Sequence, residues 1–151
     1  VKKEQVKEFW AIYRSSSFKK EIKNLFNKIH SYKNLYLLDQ QYSRKNVSLI
    51  ANCSPSFVTK ALNLYNLFIA SSLQREIKPK TQVSLLIIRV PKFHNLFVNL
   101  KNSRLTVQDF LNLSCFWDVP IQSCGPKNFA YLYYCLQYHG LSIRRVKWCK
   151  K

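Results

Sequence analysis

Glycine scarcity sets the first limit on this chain. Only 2 of its 151 residues are glycine and 5 are proline. Sandwiches and antiparallel barrels reverse direction at every strand, and their tight turns draw on residues that tolerate positive φ. Two glycines supply few such turns, so helices are expected to carry most of the fold. The apolar pattern agrees. Val6, Phe9, Trp10 and Tyr13 recur at helical spacing; after Ser15, Ser16 and Ser17 comes a cleaner stripe of Phe18, Ile22, Leu25, Phe26 and Ile29. Residues 32–42 read as a third helix, and Ser43 is placed to cap the next. Hydrophobic residues make up 47% of the chain and aromatics 15%, enough to build a packed core.

One segment breaks the helical period. "VSLLIIRV", residues 83–90, is short, β-branched and bounded by turn residues and Pro91, so it is expected to be a buried strand. Pro79, with Lys78 and Lys80 beside it, falls in the turn before, and a basic hairpin in this place would resemble a wing. Residues 92–104 allow either a helix or a linker with a short strand. Thr106 then caps a helix, with Asp109 three residues on and favourably near the positive end of its dipole. A loop over 116–128, a helix stopped by Gly140 and a final strand over 141–148 complete the chain. The expected fold class is mainly α with a small β element, a helix-turn-helix or winged-helix-like helical domain. A boundary around residues 91–104 would divide an N-terminal region, 1–91, from a C-terminal region, 92–151. The two can also pack as one domain.

Charge points to the partner. Lys and Arg number 25 against 7 Asp and Glu, a net charge of +18. Solubility alone asks for about 2–8. A field this strong attracts polyanions, nucleic acid first and anionic membrane second. Lys19, Lys20, Lys23 and Lys28 line the face opposite the second apolar stripe, as a solvated helix face or a phosphate-tracking surface. The longest apolar run falls short of the roughly 20 residues that span a bilayer. The charged start, "VKKEQVKEFW", lacks the apolar core of a secretory signal. Five cysteines (Cys53, Cys115, Cys124, Cys135 and Cys149) form no CxxC pair and read as free thiols. The expected location is a reducing one, cytoplasmic or nucleoid-associated.

The stretch "VSLIANCSPSFVTKAL", residues 47–62, meets the demands of a helix-turn-helix. Such a motif needs a small residue where the second helix packs on the first, a turn residue tolerant of positive φ, and inward apolar residues on the second helix. Ser48, Asn52 and Val58 fill these places, with Val47, Ala51, Ala61 and Leu62 as further inward contacts. Asn follows Gly in tolerance of the left-handed region. Ser54 is the expected cap of the second helix, and Pro55 sits where a missing N–H costs nothing. The second helix then presents Ser56, Phe57, Thr59, Lys60 and Asn63 outward.

These residues resemble the helix-turn-helix of ParB/KorB-type partition and repressor proteins, and are similar to that of LacI-type regulators. Ser48 stands in place of the usual Ala and Asn52 in place of Gly; Ser54 and Ser56 match a Ser-x-Ser at the start of the recognition helix, and Val58 matches the inward Val. The resemblance covers residues 44–63 and includes no nucleotide motif. It implies contact with double-stranded DNA. Ser54, Ser56 and Thr59 would donate to phosphates or base edges. Lys60 and Asn63 would reach bases or backbone, Arg44 and Lys45 phosphates from the first helix, and Lys78 and Lys80 the backbone from the wing. A homodimer on two half-sites is a common arrangement of such proteins.

Near the C-terminus, Arg144, Arg145 and Lys147 crowd together after an aromatic helix and are expected to meet phosphates. Tyr131, Tyr134 and Tyr138 read as half-buried packing residues, with base stacking the other reading. Cys115, Cys124, Cys135, His139 and Cys149 cluster in the last third, but only Cys135 and His139 are close in sequence, so no zinc site is assigned and buried thiols are expected. The seven acidic residues are scattered, no glycine loop cradles phosphates, and a Cys135–His139 nucleophile lacks any surrounding signature. No catalytic residue and no cofactor are assigned, and the chain is read as a non-enzyme. RNA binding and a helical protein-interaction adaptor stand as alternatives to DNA binding; magnesium-dependent cleavage would reveal a degenerate nuclease or recombinase fragment.

Overall fold

A computed structural model describes residues 3–113, 116–119 and 125–141. Among these residues the chain forms α1 (Lys3–Arg14), α2 (Ser16–His30), α3 (Lys33–Gln41), α4 (Arg44–Ala51), α5 (Pro55–Ser72), α6 (His94–Ser103), α7 (Val107–Leu111) and α8 (Pro126–Tyr138). Short 3-10 turns cover Val83–Leu86, Pro91–Phe93 and Phe116–Asp118. The open reading of residues 92–104 resolves as a 3-10 turn leading into α6.

The helix ends follow from the residues that stand there. Ser15 accepts the Phe18 N–H at 3.1 Å and opens α2. Thr106 and Asp109 form a reciprocal capping box on α7, with bonds of 3.1 and 3.2 Å. Past α8, Gly140 takes φ +83°; the Leu141 N–H donates to the Leu136 carbonyl and the Gly140 N–H to that of Gln137. That pattern closes a helix with a left-handed residue and satisfies two carbonyls that the ladder leaves over.

The core is aromatic and draws on most of the chain. Phe9, Phe68, Phe110, Phe116 and Tyr131 are among its fully buried side chains. α1 lies along α8, where Phe9, Trp10 and Tyr13 surround the Tyr133 ring, with Tyr13 edge-on at 4.6 Å. α2 meets α5 through Phe26 and Phe68, whose rings are 5.2 Å apart. A smaller separate cluster of Val47, Val58 and Leu62, flanked by Leu35, Tyr36, Leu38 and Cys53, joins α3, α4 and α5 into a three-helix unit.

The expected β element is not there. Among the described residues no strand forms; the only pairing is a single antiparallel bridge between Gln82 and Thr106. Residues 83–86 wind into a 3-10 turn and 87–90 run extended without a ladder, so the buried strand and the hairpin wing are both corrected. The physical reason is the lack of a partner strand. A continuous apolar run marks burial, and burial alone does not say whether the neighbour is a sheet or a set of helices. Here Leu86, Ile87 and Ile88 are each at most 1% exposed because helices enclose them. Side chains supply hydrogen bonds that a sheet would otherwise give: the Arg89 N–H donates to Ser71 Oγ at 2.8 Å, and the Ile88 carbonyl accepts from the Tyr131 hydroxyl at 2.7 Å. The proposed final strand, beyond Leu141, lies outside the described residues.

Candidate nucleic-acid interface

The reversal from α4 to α5 is built by three residues. Asn52 adopts φ 55°, ψ 48°, the left-handed conformation. The Cys53 N–H donates to the Ser48 carbonyl at 3.1 Å and the Asn52 N–H to the Leu49 carbonyl at 3.3 Å, so α4 ends in a Schellman motif. Ser48 is buried, and its hydroxyl donates back to the Cys53 carbonyl. A larger side chain at 48 would occupy the space in which the turn folds back. Val58 is fully buried and fixes the inward face of α5. Ser54 caps α5 by accepting the Phe57 N–H at 3.2 Å, with Pro55 in its first turn.

The helix-pair residues expected to meet a ligand are on the surface. Arg44, Lys45, Ser54, Ser56, Thr59, Lys60 and Asn63 are exposed. The side chains of Lys45, Lys60 and Asn63 make no hydrogen bond or ion pair with a described residue, so their polar ends are available. Ser54 and Ser56 lie with their hydroxyls 3.2 Å apart beside the first turn of α5, where unpaired N–H groups favour an anion.

Arg44 and Thr59 are engaged. The Arg44 guanidinium donates to Asp39 at 3.1 Å and to Thr59 Oγ1 at 2.8 Å, while the Thr59 hydroxyl donates to the Pro55 carbonyl at 3.1 Å. One side chain thus links α3, α4 and α5. These bonds are solvent-exposed and individually weak; their effect is to hold Arg44 against α5. Thr59 has already committed its hydroxyl proton, which leaves it a poorer donor to a base or phosphate than the sequence suggested.

Sequence reasoning placed Phe57 outward but missed Leu49 and Ile50, which complete an apolar element at the same end. Leu49 is 70% exposed and Ile50 55%, and Phe57, which packs edge-on against Tyr32, remains 44% exposed. The signal was present: on a helix of 8 residues whose inward face is already set by Val47 and Ser48, Leu49 and Ile50 must point away.

The other assigned cations separate. Lys78 and Lys80 are exposed in a turn closed by the Thr81 N–H to the Lys78 carbonyl, not in a strand hairpin. Arg144, Arg145 and Lys147 lie outside the described residues. On α2, Lys19, Lys20, Lys23 and Lys28 are exposed, and Glu21 is held by both Lys92 and Lys127, the latter at 2.9 Å. The Lys127 ammonium beside it pushes Lys92 below the usual lysine value.

Among the described residues no group of three His, Cys, Asp or Glu is arranged to hold a metal ion; Cys115, Cys124 and Cys149 fall outside them. Cys135 is buried, and that burial pushes its thiol up to about 12, so it is protonated at neutral pH and not a nucleophile. His139 is buried as well. The Leu86 carbonyl lies near its ring, but neither ring nitrogen makes a hydrogen bond of good geometry.

The described residues define an all-helical bundle that carries an exposed, doubly capped helix pair on a strongly cationic chain. No protein family, curated protein or solved structure matches it. Among the described residues, no helix is long and apolar enough to cross a membrane.

Proposed function

We propose that this chain binds double-stranded DNA by placing the N-terminal end of α5 in the major groove, with α4 crossing the backbone. One observation carries the reading. Ser54, Ser56, Lys60 and Asn63 stand exposed along the cap and first half of α5, on a molecule of net charge +18. Lys60 and Asn63 reach base edges, Ser54 and Ser56 a phosphate at the helix start, and Lys45 with Arg44 a phosphate beyond the turn. Arg44 must leave Asp39 or Thr59 to do so. Lys78 and Lys80 add backbone contacts from their turn, without a wing. The exposed Leu49, Ile50 and Phe57 suit the thymine methyls and sugar edges that line the groove. Such a protein works where DNA is handled in a reducing compartment, in transcription regulation, replication or partition.

The test is selection of bound sequences from a random duplex pool, followed by a salt titration on the winner. Affinity is expected to fall steeply with salt through counterion release. Lys60→Ala is expected to cost about 1–3 kcal/mol on the selected site and less on an unrelated duplex. Equal loss on every duplex would reduce Lys60 to a phosphate contact. Recovery of no preferred sequence, or tighter binding of RNA than duplex DNA at matched salt, would overturn the proposal.

A further inference from the structure

The second half of α5 carries a feature that DNA binding does not use. Residues 84–91 run back along this helix in the opposite direction. Ser84 and Leu85 share a cavity of about 140 Å³ with Ala70 and Arg75. Val90 and Pro91 share another, of about 360 Å³, with Leu64. The two cavities adjoin, because Leu67 and Arg89 line both. From Leu64 to Ser71 the groove follows α5 for about 10 Å, roughly two helical turns, and Arg75 extends it just past the helix end.

Its floor is apolar and open. Leu67 and Leu85 are each 43% exposed. Its charged members, Arg75 and Arg89, are cations, with the imidazole of His94 at one end and no acidic residue in the lining. The Arg89 guanidinium lies 3.7 Å over the Phe97 ring, and no carboxylate among the described residues pairs with it. Partial burial pushes it below the usual guanidinium value, so this cation has lost water without gaining an anion. A carboxylate from outside would fit that place. A second copy of the chain fits poorly, since it brings a net charge of +18 to a cationic groove.

We infer that this groove docks an acidic amphipathic helix of a partner protein, whose apolar side chains enter the two cavities and whose carboxylates meet Arg75 and Arg89. The length suits two turns of helix, and the paired cavities suit anchors at positions i, i+3 or i+4, and i+7. The anchors supply most of the affinity, and the carboxylates fix orientation and exclude basic helices. The interaction needs no nucleic acid and stands or falls separately from DNA binding.

The test pans the full chain against displayed helical peptides of about 16 residues, with affinities of the winners read by fluorescence anisotropy. Winners are expected to carry apolar residues at i, i+3 or i+4, and i+7, flanked by Asp and Glu. Leu67→Glu and Arg89→Gln are each expected to weaken them about tenfold or more, and replacing the peptide carboxylates by lysines to abolish binding. Leu67 is on the surface, and circular dichroism melts of both variants check that they remain folded before binding is read. An absence of winners, winners without acidic flanks, or winners that bind both folded variants as tightly as the parent would overturn the inference. So would loss of duplex DNA affinity in both variants with the winning peptides unaffected, which would make the groove a phosphate surface.

Discussion

Asn52 is where a single side chain decides the geometry of the candidate interface. It holds φ 55° between α4 and α5, a region that costs an ordinary L-residue about 1–2 kcal/mol. Asn52→Gly is therefore expected to keep the stability within about 0.5 kcal/mol, since relief at positive φ offsets the extra freedom of the unfolded chain. Asn52→Val is expected to lose about 2 kcal/mol, because a β-branched residue resists that conformation. Denaturant unfolding of the three proteins checks the order. A Val variant as stable as the parent would mean that the turn had relaxed elsewhere. Ser48, Asn52 and Val58 were legible in the sequence because each place in the turn admits few residue types. The Arg44–Thr59 bond was not legible, since it joins residues 15 apart that meet only after α4 and α5 have folded back.

At the scale of elements, helices and caps could be read and the buried segment could not. The stripe through Phe18, Ile22 and Ile29 and the box of Thr106 with Asp109 are local codes, written within one or two turns. Residues 83–90 carry no local code for what surrounds them. Their apolar run said only that they are inside, and the lack of a second strand among the described residues depends on segments distant from it. What holds them is distant in sequence: Tyr131 reaches the Ile88 carbonyl across 43 positions. Tyr131→Phe keeps the ring stacked on Phe93 at 4.0 Å but leaves a buried carbonyl without that donor. A loss of about 1–3 kcal/mol in unfolding free energy is expected; no loss would mean that water or another group replaces the hydroxyl. The α5 groove was hidden for the same reason, because one wall is this segment and the other is a helix that precedes it.

For the whole molecule, pH dependence follows from His139. Burial holds its imidazole below the usual value; the Leu86 carbonyl opposes this, Arg75 adds to it, and the Tyr138 ring stands edge-on at 5.2 Å. An unfolded histidine takes up a proton near pH 6.5. Below that pH the unfolded chain binds more protons than the folded one, so this contribution to stability is complete above about pH 6.5 and is lost as pH falls below it. The denaturant midpoint is expected to drop between about pH 7.5 and 5.5 in the parent and to drop less in His139→Phe. The exposed His30 and His94 are present in both proteins and cancel in the comparison. Equal slopes would mean that His139 reaches water in the fold and takes up its proton there as it does in the unfolded chain.

The threaded segment has a consequence for the integrity of the particle. Just ahead of it, the exposed Arg75 and Lys80 offer cleavage sites to trypsin (Lys78 does not, since Pro79 follows it), while Leu86 to Ile88 are sealed by helices from both sides of the cut. A nicked chain keeps its later fragment laced through the earlier one. The two pieces should elute together on gel filtration and part only in denaturant, so scission here would leave a folded body with a broken backbone.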